Sequence, residues 1–316
     1  MGNELINQLF IWQVVLPLGV ILINALVPVA TGAGALLRTT IILGLLAYTA
    51  LSGIWLFPPW WTPFVFVVFQ LLITWRQVRH VKARGRVGSV WQISETSLSL
   101  AGIAGVAFLT LPALQGRTPP DVVIDLAMPL GPGRYLVISG GATPQINSHF
   151  FTLDLPRAAP FRGQSHGIDV IGIDAFGFRT SGISPADPTL YKIYEADVLA
   201  PCNGTVIAVT DGVPDNVVPD MNRDAMTGNS VVLECDGLAV VLAHFIPGSL
   251  SVTEGETVEI GQGIANVGNS GNSGEPHLHV HVQEIASRDQ PISGEPLWFT
   301  IEGRFLVRNT RFMGRQ

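Results

Sequence analysis

Three long stretches of this chain carry no charged residue: Leu5–Leu37, Thr39–Trp75 and Thr96–Gly116. Nothing else in the sequence restricts the fold as much, because about 20 apolar residues suffice for a helix to cross a bilayer. The first stretch predicts one span near Leu9–Ala30, closed by Pro28 and Gly32-Ala33-Gly34. The second is too long for one span and breaks at Pro58-Pro59-Trp60-Trp61. It predicts spans at Thr39–Phe57 and Trp61–Trp75, with the aromatic break at a membrane–water interface. Thr96–Leu114 makes a fourth. The expected N-terminal part is therefore an α-helical transmembrane bundle of about four spans over residues 1–116.

Charge divides the chain at the same place. Residues 1–116 hold six Lys/Arg and two acidic residues, whereas 117–316 hold twelve Lys/Arg and 22 acidic residues. Arg76, Arg79, Lys82, Arg84 and Arg86 fall between the third and fourth spans, so that loop is expected to be cytoplasmic. Arg38 then also lies inside. The N-terminus, the Pro-Pro-Trp-Trp loop and everything after the fourth span lie outside. No basic segment precedes the first apolar run, which argues against a cleavable signal peptide. The acidic C-terminal part has no basic stripe, which argues against a nucleic-acid partner.

Residues 117–134 are rich in Pro and Gly and are expected to be a linker. From residue 135 to 316, short apolar runs alternate with turn signals: Tyr135–Ser139, Ile168–Ile173, Thr205–Val209, Ser230–Glu234, Leu238–Phe245, Ile264–Val267, His277–Val282 and Phe305–Val307. This spacing predicts an all-β domain of antiparallel sheet with few helices. Asp211–Gly228 is a long polar loop between two of these strands. If they form a hairpin, Cys202 and Cys235 stand at its open end and are expected to pair.

The chemistry concentrates in His277-Leu278-His279 and His281. On a strand, side chains two apart share a face, so three imidazoles line up together. That is a poor core and a good start to a metal site. The glycines and asparagines of 268–274 form a loop that delivers the strand to a cleft. Six of the seven histidines lie in the acidic part. There is no Gly-x-Ser-x-Gly elbow and no phosphate-binding glycine loop. Asp169, Asp174 and Glu275 offer carboxylates for glycoside chemistry, but only sequence proximity relates them.

From Ser139 to Glu284 the chain resembles the lysostaphin-like (LytM-type) zinc metalloendopeptidases of bacterial cell walls. The resemblance is carried by His166-Gly167-Ile168-Asp169, Val198-Leu199-Ala200-Pro201 with Gly204-Thr205-Val206, Gly228-Asn229 and Leu242-Ala243-His244. It continues through Gly255-Glu256-Thr257-Val258, Gly261-Gln262 and Gly268-Asn269-Ser270-Gly271-Asn272-Ser273 to His277-Leu278-His279. It implies that Asp169 and His279 bind Zn2+, and that His244 and His277 are the catalytic pair. The implied substrate is a peptide cross-link of peptidoglycan, or a protein, met outside the membrane of a bacterial cell. His281 has no role in that family and reads as a residue behind or beside the site.

The chain departs from the family at one ligand. The usual first ligand is a histidine four residues before the aspartate, and that position is Ser165. His166 is only three residues before Asp169, on the opposite face of a regular strand. The chain is most similar to a branch with an upstream Asn-x-His, here Asn147-Ser148-His149, and a Pro-Asp-Asn loop, here Pro214-Asp215-Asn216. That similarity implies His149 as first ligand, with His166 as the alternate. A site lacking this ligand would leave a non-catalytic domain that binds wall or regulates wall hydrolases.

Overall fold

The computed structural model describes residues 2–29, 31–81, 89–287 and 290–315. The chain divides into two units, Asn7–Leu114 and Gln115–Gln316, the second grouped with Met1–Ile6.

In the first unit the apolar stretches are helical. Gly2–Phe10 (α1) and Leu16–Leu26 (α2) are joined by a π-helical turn, Ile11–Val15. Gly32–Ser52 (α3), Thr62–Val81 (α4) and Ser89–Gln115 (α5) follow. Thr31 caps α3 by accepting from the Gly34 amide at 2.9 Å, as an N-cap hydroxyl does. Among the described residues three helices are long and apolar enough to cross a membrane: Ile6–Leu26, Gly32–Ser52 and Gln92–Gln115. Three helices meet that standard where about four spans were expected, and α4 stands at the place of the expected third span. The third predicted span does form a helix, but Arg76, Gln77, Arg79 and His80 occupy the last turns of α4 and dilute its apolar character. Lys82, Arg84 and Arg86 lie outside the described residues.

Polar side chains tie these helices together. Thr39 on α3 meets Thr74 on α4 at 2.6 Å, and Gln70 donates to both hydroxyls at 3.3 and 3.1 Å. Asn24 on α2 donates to Gln70 at 3.5 Å. The start of α3 therefore lies against the end of α4, and the two helices are antiparallel. Arg38 pairs with Glu95 at 2.5 Å, close to the first turns of both α3 and α5. Ile41 approaches Gly102, and Gly44 approaches Val106. These contacts advance in step, so α5 is parallel to α3.

The second unit is built on twelve strands among the described residues. The first six are β1 (Val122–Leu126), β2 (Arg134–Ser139), β3 (Ile168–Gly172), β4 (Asp197–Leu199), β5 (Gly204–Thr210) and β6 (Asn229–Cys235). The remainder are β7 (Leu238–Phe245), β8 (Thr257–Val258), β9 (Gly263–Asn266), β10 (Leu278–Gln283), β11 (Pro296–Ile301) and β12 (Arg311–Met313). Ten form one sheet, in the order β12-β2-β3-β10-β7-β6-β5-β8, with β11 joining β10 to β1, and β4 and β9 form a separate pair. Every pairing except β1 with β11 is antiparallel.

Seven of the eight predicted strands are found, within a residue or two. Phe305–Val307 is not a strand; β11 and β12 flank it. Residues 117–134, read as a linker, contain β1 and bury Leu126, Met128 and Leu130. The hairpin of β5 and β6 forms with Thr205 opposite Glu234, and Cys202 and Cys235 make a disulfide.

Alternation along the central strands gives the sheet two distinct faces. Val170, Leu233, Val240, Leu242, Leu278, Val280 and Val282 point into the main core. The opposite face of β10 carries His279, His281 and Gln283, paired across to Ala243, Val241 and Ala239 of β7. Beyond them Val232, Val241 and Ala239 pack with Ile292, with Phe161 against the cluster. The polar face of β10 is thus roofed at its far end.

Candidate metal centre

Asp169 is the hub. It sits on β3 directly opposite His279 of β10. Its Oδ1 lies 2.8 Å from His279 Nδ1, 3.2 Å from His149 Nε2 and 3.6 Å from His277 Nε2. Ligand atoms of His149, Asp169 and His279 all fall within 4.8 Å of one another. Two imidazole nitrogens and a carboxylate oxygen, in a buried cluster, are a donor set suited to zinc with a further position for water. Burial alone would raise the Asp169 carboxyl; without a metal, positive charge on the His149 and His277 rings would hold it well below the usual carboxylate range.

Each ring is oriented by an oxygen that can only accept. Asn147 donates through Nδ2 to the carbonyls of Gly141 (3.1 Å) and Gly167 (3.2 Å), so its Oδ1 is the acceptor. His149 Nδ1–H donates to that Oδ1 at 2.9 Å, leaving the Nε2 lone pair toward Asp169. His277 Nδ1–H donates to the Glu275 carbonyl at 2.9 Å, and His244 Nδ1–H to the Ser270 carbonyl at 2.8 Å. Hydrogen-bond partners of this kind fix which ring nitrogen carries the proton.

His244 reaches the site by breaking the alternation of β7. Ala243 pairs with His279 and so shares its face, which would turn His244 into the core. Instead His244 is the extra residue of a bulge, with Asn229 opposite Phe245 and Ser230 opposite Ala243. Its φ is 72°, in the left-handed region. Such a conformation costs on the order of 1–3 kcal/mol and concentrates at functional positions. The result is a ring 4.6 Å from that of His277, centroid to centroid, while Phe245 takes the core position. Burial, then the neighbouring His277 and His279, keeps His244 well below its usual pKa. Burial likewise lowers His279 to about 4.

His166, the alternate first ligand, is placed elsewhere. Its ring stacks on Trp298 at 3.6 Å and 10°, with Phe150 beside both. Ser165, at the position of the usual first ligand, is buried and bonded to Thr152 (2.6 Å) and to the Arg162 carbonyl (2.5 Å). The other carboxylates are occupied. Arg179 Nε meets both Glu275 oxygens at 3.0 Å, and Asp174 accepts from the Phe176 and Phe178 amides.

Two supports were not legible as such. Asn147 belongs to the upstream Asn-x-His, but its orienting bond to His149 is a matter of three dimensions. Asn216 donates to the carbonyls of Asn269 (2.8 Å), Gly271 (2.7 Å) and Ser273 (3.0 Å). It pins the loop whose Ser270 carbonyl holds His244 and whose Ser273 hydroxyl lies 3.1 Å from His277 Nδ1.

The fold and donor set define a β domain with a His-Asp-His group that could hold a metal ion. Residues 192–293 match Peptidase family M23. The matched segment contains His244, His277 and His279; His149 and Asp169 precede it. Among solved structures, the chain is similar to a zinc-containing peptidase from Vibrio cholerae, at 28% identity over 29% of this chain and 24% of that one, with a TM-score of 0.23. It is also similar to the catalytic domain of the antimicrobial peptidase lysostaphin from Staphylococcus simulans, at 19% identity over 40% of this chain and 71% of that one, with a TM-score of 0.24. A third is a putative glycyl-glycine endopeptidase lytM from Ruminococcus gnavus, at 13% identity over 71% and 76% of the two chains, with a TM-score of 0.32. The chain spans less than half the length of the Vibrio protein and of a putative M23 peptidase from Pseudomonas aeruginosa. No curated protein matches it.

Proposed function

We propose that this protein is a membrane-anchored zinc endopeptidase that cuts peptide links, with peptidoglycan cross-links as the substrate class. The observation that carries the reading is the convergence of His149 Nε2, Asp169 Oδ1 and His279 Nδ1 beside two further imidazoles. Zinc held by those three atoms supplies a Lewis acid for a scissile carbonyl and for water. His277 and His244 have each committed Nδ1–H to a backbone carbonyl, so each has Nε2 available for chemistry. A neutral Nε2 beside the reacting centre takes up a proton and, once protonated, donates to developing oxyanion charge. His149 is the first ligand in this reading, and Trp298 holds His166 out of the role.

The β domain is assigned to the extracytoplasmic side. The Cys202–Cys235 disulfide suits an oxidising compartment. Arg38, at the start of α3, marks the cytoplasmic end by the positive-inside rule. Because α5 is parallel to α3, its C-terminal end leaves on the opposite side.

The test is the zinc content of the purified full chain in detergent. One tightly held zinc per chain is expected, with none in His279→Ala. A wild-type chain without zinc that still binds cell wall would replace this reading with the non-catalytic binding domain that Ser165 in place of a ligand suggests.

A further inference from the structure

His281 has no part in the chemistry above, yet it is fully buried and points the same way as His279. Its Nδ1 lies 2.9 Å from His279 Nε2, and its Nε2 lies 3.3 Å from Gln283 Oε1. Gln283, also fully buried, donates through Nε2 to the Pro291 carbonyl at 2.7 Å. Alternation alone accounts for this row, since residues 279, 281 and 283 are successive same-face positions of one strand.

The direction of the row is forced from its far end. A backbone carbonyl has no proton to give, so Gln283 Nε2 is the donor to Pro291. Gln283 Oε1 is then the acceptor, and His281 must carry its proton on Nε2. His281 Nδ1 is left with a lone pair, and His279 must carry its proton on Nε2. That leaves the His279 Nδ1 lone pair on the side of Asp169 Oδ1, 2.8 Å away, an arrangement of two acceptors that a bound cation would satisfy. Turning the Gln283 amide over would set its oxygen against a carbonyl oxygen, a buried mismatch costing about 1–3 kcal/mol. The amide is also confined, because a methyl group on Gly163 would collide with Gln283 Oε1.

We infer that His281 and Gln283 are positioning residues that read the Pro291 carbonyl and set the tautomer and aim of His279 as a metal ligand. The inference rests on the zinc reading of the site and extends it to two residues that reach neither metal nor substrate. His281→Leu removes the acceptor of the His279 proton but keeps an apolar side chain in the buried space. His281→Gln returns an acceptor, through its amide oxygen.

The experiment uses the full chain in detergent, with zinc affinity read by chelator competition. His281→Leu is expected to bind zinc about 10- to 100-fold more weakly than wild type, the usual effect of removing a ligand's outer partner. His281→Gln is expected to recover most of that loss. In the zinc-loaded wild-type chain, 15N NMR of labelled histidine is expected to find His279 protonated on Nε2. Should His281→Leu fail to fold, this wild-type measurement together with Gln283→Leu decides the matter. Unchanged zinc affinity in a folded His281→Leu chain, or a His279 protonated on Nδ1, overturns the inference and leaves the zinc reading standing. Absence of zinc from wild type overturns the zinc reading first, and is told apart because it needs no substitution.

Discussion

In the helical unit Gln70 sits among Asn24, Thr39 and Thr74; in the β domain Asp169 sits among His149, His277 and His279. Both clusters are buried, and burying polar groups is costly unless they are paired. The helical cluster spends its donors inward. The Gln70 amide feeds two hydroxyls, and the Thr74 hydroxyl also returns to the Gln70 carbonyl at 2.8 Å. The β cluster spends its donors outward, on the Asn147 side chain and on the Ser270 and Glu275 carbonyls. What remains in its middle is a set of lone pairs. Polar burial by itself therefore marks helix–helix adhesion in one unit. Converging acceptors are what the proposed metal site requires in the other.

Substitutions that respect this difference should have very different effects. The largest is expected for His277→Ala, which removes an available Nε2 but no proposed ligand. Steady-state kinetics on a peptidoglycan peptide should show kcat lower by about 10²- to 10⁴-fold, with zinc content unchanged. A parallel loss of zinc would break the division between ligands and proton carriers.

Next is Asn147→Ala, which frees the His149 ring. Chelator competition should show zinc affinity reduced by about 10- to 100-fold.

The third concerns pH. His279 has a folded-state value of about 4 and His244 one well below the usual value, both chiefly through burial. An unfolded chain takes up protons on these rings near pH 6.5 that the folded chain refuses. Stability from this source is complete above about pH 6.5 and is lost as the pH falls toward 4. Urea unfolding of the metal-free protein should therefore have a lower midpoint at pH 5 than at pH 7. His244→Phe should reduce that dependence.

The smallest effect is expected for Gln70→Leu. Hydrogen bonds between helices in a membrane average about 0.6 kcal/mol, so thermal unfolding in detergent should move slightly and zinc affinity not at all.

The sequence made the sheet legible where alternation is clean. Val280 and Val282 pointing one way, with His279 and His281 the other, follow from spacing alone. The two halves of the proline- and glycine-rich stretch after α5 were harder to read. Leu126, Met128 and Leu130 look like isolated apolar residues until β11 is there to pair with β1. The site was legible for His277 and His279, which share a strand. His244 was not legible by geometry, because only the left-handed backbone at that residue brings it to the His279 face. The place of His166 was not legible, because its stacking partner, Trp298, is more than a hundred residues away in sequence. The helix α4 was legible as the expected third span, and its contact with α3 through Thr39 and Thr74 was not.

The grip of Asn216 on three alternate carbonyls, those of Asn269, Gly271 and Ser273, has a mechanical corollary. Because the Ser270 carbonyl and the Ser273 hydroxyl ride on the same clamped loop, the His244 and His277 rings are geared together. A displacement at the Pro214-Asp215-Asn216 corner would swing both at once, as two teeth on a single wheel, rather than loosening either alone.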